Sequence, residues 1–250
     1  MHPGLVIAMS AQWAVLLHEV KKAFPLGGGR DLEVLDVEHL ALAPGSCTVL
    51  RGRSGSGKTT LLNLIAGITA PSAGAIHVDD TDLFALPQAH RDRFRAENVG
   101  YVFQTFNLLS ALSAIENVVL AMMFADTVPR RLQRQRAADL LARLGLSERL
   151  GHRPAQLSRG EQQRVAIARA LANTPPLVLA DEPCASLDAR TASEVLEMFL
   201  AVCRQDQKTL LLVSHDAAAF GEAARVIDMA ELNRTRSAQG SHMTAATASR

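Results

Sequence analysis

Two uninterrupted hydrophobic runs, Leu177–Ala180 and Leu210–Val213, form the strongest structural pattern along this chain. Runs of this kind are typical of parallel strands that are covered on both faces. Residues 189–205 lie between them with the apolar spacing of a helix, so the segment predicts a strand–helix–strand unit. Thr48–Leu50 suits a third buried strand, and Leu61–Ile65 suits one face of the helix that follows it. The pattern therefore predicts an α/β fold.

The first hundred residues predict a second β region with antiparallel pairing. Val15–Val20 and Leu32–Leu42 have the composition of strands, and the glycine run at residues 27–30 predicts the hairpin turn between them. Ala75–Val78 and residues 99–103 predict two further short strands. We therefore expect a mixed central sheet, accompanied by an antiparallel β region near the N-terminus.

Between about residues 105 and 155 the pattern changes from strands to helices. Apolar residues recur there at helical spacing; they are Ile115, Val118, Val119, Met122, Leu132, Leu140, Leu141 and Leu144. This block is the predicted helical subdomain, inserted into a domain that spans residues 15–232. Residues 1–14 are predicted to be an extension, and residues 233–250, rich in Ser, Thr, Ala and Arg, are predicted to be a disordered tail.

Composition excludes several classes of protein. The chain has 250 residues, of which 48% are hydrophobic, enough for one large domain with a full core. The net charge of +1 and the scarcity of aromatic residues argue against a nucleic-acid partner. Three scattered cysteines without metal-ligand spacing fit reduced thiols in the cytosol. No segment has about 18 uninterrupted apolar residues, so we expect a soluble chain that needs a partner to act at a membrane.

Residues 52–59, with the sequence G-R-S-G-S-G-K-T, form the pattern that wraps the phosphates of a nucleoside triphosphate. Glycines at the fixed positions let backbone N–H groups point at phosphate oxygens. Lys58 is placed to reach the β- and γ-phosphates, and the Thr59 hydroxyl is placed to hold Mg²⁺. The predicted nucleotide-binding residues of this loop are Gly52, Arg53, Ser54, Gly55, Ser56, Gly57, Lys58, Thr59 and Thr60. A flexible glycine–serine turn is the alternative, but strand, loop and helix follow one another as the motif requires.

Two acidic residues, Asp181 and Glu182, follow the apolar run at residues 177–180. Such a pair is usually a solvated turn, but a carboxylate at the end of a parallel strand also faces the ligand of an open α/β sheet. The phosphate loop in the same chain favours the second interpretation. Asp181 is then the candidate Mg²⁺ ligand beside Thr59, and Glu182 is the candidate general base.

A second anion site is predicted where Ser158 and Gly160 open a helix, in L-S-R-G-E-Q-Q-R-V-A-I-A-R-A-L. One nucleotide needs only one such helix start. Residues 157–161 resemble the signature sequence of ABC-type ATPases, a family in which each subunit presents this helix to the γ-phosphate held by the other. The resemblance extends over about residues 15–230, and it implies a homodimer with two Mg-ATP between its subunits.

Further residues match motifs of that family in order, and their roles are those that the resemblance implies. Gln104 resembles the glutamine that senses Mg²⁺ and couples to the membrane partner. Ser186-Leu187-Asp188 resembles the loop that lies across the dimer interface. His215 resembles the switch histidine that contacts the γ-phosphate, and Phe24 stands where the family has an aromatic residue that stacks on adenine. The implied catalytic residues are Lys58, Glu182 and His215, the implied metal ligands are Thr59, Gln104 and Asp181, and the added nucleotide contacts are Phe24, Gln104, Ser158, Gly160, Glu161 and Asp188.

Two stretches, residues 103–118 and 152–171, are similar to ATPases of the lipoprotein-releasing and macrolide-export type. Three positions depart from the family pattern. Arg159 replaces the first signature glycine, Phe24 replaces the commoner tyrosine, and Cys184 stands where threonine or glycine is usual. The catalytic polar positions are all present, which argues against an inactive ATPase.

The resemblance implies the ATP-hydrolysing, energy-coupling subunit of an ABC transporter, cytoplasmic and held at the inner face of the cell membrane by an integral membrane permease. The ATPase of a regulatory membrane complex that moves no substrate is the alternative. A soluble ABC ATPase is a further one, although no coiled-coil insertion or second ATPase unit is visible in this sequence. Permease contact is expected near residues 104–117, with residues 106–112 as a candidate docking surface.

A cluster of basic residues lies at the start of a predicted helix; its members are Arg130, Arg131, Arg134 and Arg136. A solvated helix face is the simplest interpretation of this cluster. Contact with lipid headgroups or with a partner is the alternative.

Overall fold

The computed structural model describes residues 12–125, 127–214, 221 and 225–235. An antiparallel sheet is built around a long hairpin near the N-terminus. Its strands, in the order in which they lie side by side, are β2 (Arg30–Leu42), β1 (Val15–Gly27), β4 (Ala73–Val78) and β5 (Thr81–Asp82). The turn between β1 and β2 falls at Gly28 and Gly29, both with positive φ, so the hairpin turn predicted from the glycine run is confirmed.

A parallel sheet forms the centre of the fold. Its strands lie in the order β6 (Val99–Val102), β7 (Leu177–Asp181), β8 (Thr209–Val213), β3 (Cys47–Arg51) and β9 (Arg225–Asp228). Every neighbouring pair in this sheet is parallel. The mixture of strand directions that the sequence predicts is therefore divided between two sheets, one antiparallel and one parallel, and the α/β class is confirmed.

Helices connect and cover the strands. They are α1 (Lys58–Ile65), α2 (Gln88–Asn98), α3 (Ala114–Ala125), α4 (Arg130–Arg143), α5 (Arg159–Leu171), α6 (Ala189–Gln205) and α7 (Met229–Leu232). Within the described ranges, none of these helices has the length and apolar character needed to span a bilayer. The three cysteines are free thiols, as the sequence predicts.

Side chains of the central strands alternate between two hydrophobic clusters. Val178 and Leu210 face one cluster, which includes residues of α3, α4, α5 and α6. Leu179 and Leu211 face the other, which includes residues of α1 and of the antiparallel sheet. Because both faces are buried, these strands are hydrophobic at successive positions. The same packing fixes the position of the carboxyl ends of the strands, and the candidate site residues lie at or just after these ends.

Helices α3 and α4 lie within the segment that is predicted to be a helical subdomain. Ile115 and Met122 of α3 are buried, as their spacing predicts. In α4 the pattern is wrong at one position, because Leu132 is 47% exposed and the neighbouring Gln133 is buried instead. Gln133 Nε2 donates a hydrogen bond to the Val128 carbonyl at 3.0 Å, which satisfies the buried amide. The boundaries of the subdomain stay a prediction.

The ordered chain continues past Leu232, after which the sequence predicts a disordered tail. Asn233 is 1% exposed. Its Nδ2 donates to the carbonyls of Val34 at 2.9 Å and Ser56 at 3.2 Å, and its Oδ1 accepts from the Asp36 N–H at 3.0 Å. The tail prediction is therefore wrong at this residue, because one side chain satisfies three distant backbone groups. Residues 1–11 and 236–250 lie outside the described residues.

Candidate nucleotide-binding site

The phosphate loop, residues 52–59, connects the end of β3 to the start of α1. Gly57 is the N-cap of α1 with a left-handed φ of 96°. No side chain caps α1, and its first turn carries no acidic residue. The partial positive charge of the helix start is therefore available to an anion. Ser56 Oγ is buried and has no hydrogen-bond partner among the described residues, which suits a phosphate oxygen as its partner.

Lys58 is enclosed by the loop that precedes it. Its Nζ donates to the Gly52 carbonyl at 2.6 Å and to the Arg53 carbonyl at 3.2 Å. Glu182 Oε1 lies 3.5 Å from the same Nζ, and the Lys58 side chain is only 6% exposed. A buried ammonium is costly unless acceptors surround it. The loop therefore holds a nearly buried positive charge in place, as the binding of a triphosphate requires.

Thr59 and Asp181 join the phosphate loop to the end of β7. Thr59 Oγ1 donates to Asp181 Oδ2 at 2.6 Å. Burial raises the pKa of the Asp181 carboxyl above its ordinary value, although the hydrogen bond from Thr59 opposes the shift. The ionised carboxylate is therefore destabilised, and a divalent cation would stabilise it. Hydroxyl and carboxylate oxygens are ligands that Mg²⁺ prefers, with phosphates and waters completing its shell. The residues present fit Mg²⁺ at the predicted position.

Glu182 has a left-handed backbone with a φ of 45°, a conformation that costs a non-glycine residue stability. Its N–H donates to the Val213 carbonyl at 3.0 Å, which anchors the turn to β8. The carboxylate is 25% exposed, and Glu182 and Ser214 line a cavity of about 340 Å³. The candidate base thus borders both Lys58 and an open cavity. His215, the predicted switch histidine, lies outside the described residues.

The second predicted anion site is the start of α5. Ser158 Oγ accepts a hydrogen bond from the Glu161 N–H at 3.2 Å, and Glu161 Oε2 accepts one from the Ser158 N–H at 2.8 Å. Arg149 Nε donates to Glu161 Oε1 at 3.0 Å. The Ser158 backbone bond, followed by the bond from Arg149, lowers the pKa of Glu161. Ser158 is therefore the N-cap of α5 and forms a capping box with Glu161, and Ser158 is exposed at the end of the helix.

The start of α5 packs directly against the start of α6. A Cβ on Gly160 would lie 2.5 Å from Thr191 Cγ2, so no larger residue fits without movement. Arg159 Nη1 donates to the Ser186 carbonyl at 3.2 Å. Asp188 caps α6, because its Oδ1 accepts from the Thr191 N–H at 3.1 Å. The structure therefore brings together two motifs that the sequence predicts separately, the signature and the interface loop.

Alanine in place of Gly160 is expected to lower the free energy of unfolding by about 1–3 kcal/mol, because the added methyl overpacks the contact between α5 and α6. Thr191 resists rotation, since both its N–H and its hydroxyl bond to Asp188. Urea denaturation measures the loss. Thr191→Ser removes Cγ2 and keeps the hydroxyl, so the Gly160→Ala/Thr191→Ser double variant should recover most of the stability. Equal stability of the single and double variants would contradict this contact.

Two predicted site residues, Phe24 and Gln104, are not bonded to the phosphate loop. Phe24 is 39% exposed near the end of β1, and Lys22 Nζ lies 4.8 Å from the centroid of its ring. A cation so placed is attracted to the ring face. Gln104 is exposed just after β6, and among the described residues it forms no hydrogen bond with Thr59 or Asp181. Their roles in binding adenine and Mg²⁺ stay predictions.

A groove beside β6 includes one residue, Leu109, of the docking surface predicted at residues 106–112. Its volume is about 380 Å³. Ile68, Leu109 and Phe124 line it, and each of these large apolar side chains is exposed. Exposed apolar side chains that share one groove are typical of a contact surface for another molecule.

The loop of residues 104–112 is held by two side chains that the sequence did not single out. Asn117 is 1% exposed, and its amide bonds both the N–H of Leu109 at 2.9 Å and its carbonyl at 3.2 Å. Arg169 donates to the Phe106 carbonyl at 2.9 Å. Asn117 could have been found from the sequence, because it is a polar residue on the apolar face of α3. No comparable feature of the sequence distinguishes Arg169, which lies on α5.

This arrangement of phosphate loop, acidic strand end and parallel sheet defines a nucleotide-binding protein of the P-loop class. The family model of ABC transporters matches residues 35–185, which is more than half of the chain. The chain therefore belongs to the ABC transporter family.

Comparisons with individual proteins agree. An uncharacterized ABC transporter ATP-binding protein of Mycobacterium tuberculosis is 44% identical over 211 residues, which cover 83% of this chain and 63% of that protein. The lipoprotein-releasing system ATP-binding protein LolD of Novosphingobium aromaticivorans is 43% identical over 217 residues, covering 87% of this chain and 96% of that protein. A dimeric, post-hydrolysis structure of the ATP-binding cassette MJ0796 with bound ADP and Pi matches with a TM-score of 0.77 and 36% identity. The match covers 86% of this chain and 93% of the chain in that structure.

The chain is shorter than some of its relatives. It spans 63% of the length of the mycobacterial protein. It spans 32% of a macrolide export ATP-binding/permease protein MacB of Rhodopseudomonas palustris, to which it is 41% identical. The resemblance to lipoprotein-releasing and macrolide-export ATPases is therefore confirmed for the part of those proteins that the chain covers.

Proposed function

We propose that this chain binds ATP with Mg²⁺ and hydrolyses it as the energy-coupling subunit of an ABC transporter. The observation that supports this most is the meeting of four side chains at the start of α1 and the end of β7. Thr59 bonds Asp181 at 2.6 Å, and Lys58 lies 3.5 Å from Glu182. A cation for the phosphates, an oxygen pair for Mg²⁺ and a candidate base are thus adjacent in one place.

Each residue has a role that its position supports. The N–H groups of the phosphate loop and Lys58 bind the β- and γ-phosphates, and Thr59 and Asp181 hold Mg²⁺, which would neutralise phosphate charge during hydrolysis. A bound γ-phosphate would compete with Glu182 for the Lys58 ammonium, because Glu182 Oε1 lies 3.5 Å from Lys58 Nζ. The Glu182 carboxylate would then accept the proton of the attacking water.

A second copy of the chain completes the site in this proposal. Ser158 and Gly160 of one copy bind the γ-phosphate held by the other, and Asp188 lies across the interface. The dimeric MJ0796 cassette with bound ADP and Pi supports the pairing of two copies. The bond between Arg159 and Ser186 and the close packing of Gly160 also support it, since they keep the two interface motifs in register. ATP favours the closed dimer, and hydrolysis removes that preference.

The groove beside β6 is the proposed contact with an integral membrane permease. Leu109 lines the groove and belongs to the loop that begins at Gln104, so a segment seated there senses changes next to the nucleotide. This contact would hold the chain at the cytoplasmic face of the membrane. The 43% sequence identity to a lipoprotein-releasing system ATP-binding protein supports the proposal that this chain acts in an export or release system. An exposed apolar groove also favours a membrane complex over a soluble ABC ATPase.

Glutamate in place of Leu109 is expected to abolish co-purification of the permease from detergent-solubilised membranes, because it places a charge on the apolar groove. The Leu109 side chain is 48% exposed and the loop is held through its backbone, so the isolated variant should fold and turn over ATP. Leu26→Glu is the matched control, since Leu26 is 64% exposed on the β1–β2 hairpin. Mass spectrometry of the captured partner identifies the permease. Retained capture by Leu109→Glu would contradict the groove assignment.

A further inference from the structure

At the rim of the groove, the end of α3 and the start of α4 carry an exposed patch of apolar and basic side chains. We call it the α3–α4 patch and define it by Met123, Phe124, Arg130, Arg131 and Leu132. The three apolar side chains are 57%, 76% and 47% exposed, in that order. Both arginines are exposed as well. Phe124 has the highest exposure of the large apolar side chains in the described ranges, and such exposure marks a contact surface.

The two arginines of the patch stand where a helix disfavours positive charge. They occupy the first two positions of α4, directly after Pro129, and the first turn contains no acidic residue. The partial positive charge of the helix start therefore repels them. Within the part of the chain that the structure describes, Arg130 and Arg131 form no hydrogen bond or ion pair. The described residues therefore supply no anionic partner for their charge.

The two other arginines of the sequence cluster are used within the fold. Arg134 interacts electrostatically with Glu116 at the start of α3. Arg136 donates hydrogen bonds to the Ala172 carbonyl at 2.8 Å and to Thr174 Oγ1 at 2.6 Å. The cluster of four that the sequence suggests is therefore reduced to the pair at Arg130 and Arg131.

Two residues that precede α4, Thr127 and Val128, each take part in a hydrogen bond. Thr127 Oγ1 bonds Asn173 Oδ1 at 3.1 Å, and Gln133 Nε2 bonds the Val128 carbonyl at 3.0 Å. These bonds hold the segment that leads into α4, where Arg130 and Arg131 lie.

We propose that the α3–α4 patch contacts the anionic lipid surface of the membrane beside the permease. Guanidinium groups pair with lipid phosphates, and the adjacent Phe124 and Met123 enter the apolar part of the interface. Phe124 also lines the groove, so the patch is continuous with the proposed permease contact. That last step rests on the proposed function, whereas the charge and exposure of the patch do not.

Local charge, not total charge, supports a lipid partner. The whole chain has a net charge of only +1, so its overall attraction to an anionic surface is weak. The patch itself carries two positive charges, Arg130 and Arg131, and residues 123–132 contain one acidic residue, Asp126. A polyanion such as nucleic acid would use the arginines alone, but the exposed apolar side chains match the layered chemistry of a bilayer surface.

Vesicle sedimentation tests the proposal with the full chain. We expect binding to phosphatidylcholine vesicles that contain about one third phosphatidylglycerol, no binding to pure phosphatidylcholine, and release when NaCl is raised from about 0.1 M to about 0.5 M. Arg130→Gln/Arg131→Gln should weaken the partition coefficient about thirtyfold. The matched control removes two exposed arginines of α6, as Arg190→Gln/Arg204→Gln, and should change it less than about threefold.

A second variant separates lipid from other anionic partners. Phe124→Ser should weaken vesicle binding about tenfold, because an apolar anchor is lost, and should leave retention on heparin unchanged. Equal binding to neutral vesicles, or equal loss in the control pair, would overturn the proposal. So would heparin binding that needs the arginines without any preference for lipid. ATP binding is measured on every variant, so a failure of the nucleotide site is seen separately from the vesicle result.

Discussion

Glutamine in place of Glu182 is expected to lower the rate of ATP turnover about a hundredfold or more, while ATP binding is retained and dimers accumulate. The amide has nearly the shape of the carboxylate, but it cannot accept the proton of the attacking water. It also removes the negative charge that lies 3.5 Å from Lys58 Nζ, so the ammonium is left to the phosphates. Phosphate release measures turnover, and light scattering with Mg-ATP measures the dimer.

A second glutamate provides the control for this variant. Glu197 lies on the exposed side of α6 and accepts a hydrogen bond from Ser193 Oγ at 3.2 Å. Glu197→Gln should turn over ATP at the normal rate. Rapid turnover by Glu182→Gln would remove Glu182 from the role of base. A slow variant that stays monomeric with Mg-ATP would instead contradict the shared site.

Alanine in place of Lys58 is expected to lower the affinity for ATP about a hundredfold or more, because charge-assisted hydrogen bonds to the β- and γ-phosphates contribute about 1.5–3 kcal/mol each. The loop carbonyls at 2.6 and 3.2 Å and Glu182 lose their shared partner as well. Titration with a fluorescent ATP analogue measures the affinity.

Folding and charge must be controlled in the Lys58 experiment. Lys21→Ala removes the same charge from β1, where Lys21 forms a surface ion pair with Asp36 at 3.4 Å. Surface pairs contribute little to stability, so this variant should bind ATP normally. Circular dichroism verifies that Lys58→Ala is folded. A folded Lys58→Ala chain with unchanged affinity would remove the phosphate loop from the nucleotide site.

Local patterns were sufficient to predict the elements that position the candidate site. The run at Leu177–Ala180 is apolar because helices and the second sheet cover both faces of β7, and the carboxylates that follow mark the end of the strand. The phosphate loop is also local, since eight consecutive residues specify its turn. Thr59 and Asp181 could therefore be paired from sequence, and the 2.6 Å hydrogen bond between them agrees with that pairing.

Helix α2 illustrates what the hydrophobic pattern could not predict. None of its residues is buried, so it has no apolar face to produce a helical period. Its surface instead carries ion pairs at helical spacing, from Arg93 to Glu97 at 2.7 Å and from Arg95 to Asp92 at 2.8 Å. In α4, the exposed Leu132 misled the pattern because Gln133 takes the buried position and bonds the preceding turn.

Contacts between residues that are distant along the chain also could not be predicted from the sequence. Arg159 is a departure from the family motif, but only the fold shows its guanidinium bonded to the Ser186 carbonyl, 27 residues further along the chain. Gly160 is required for a related reason, since the Thr191 side chain lies against it. Both contacts depend on how α5 and α6 pack, which no local pattern describes.

The bond from Asn233 to the phosphate loop has a consequence for the order of events during synthesis. Ser56 is made early, yet the amide that holds its carbonyl comes 177 residues later. Since chains are made from the N-terminus, the loop is complete in sequence long before this support exists. A growing chain therefore lacks this support for the phosphate loop until residue 233 has been added.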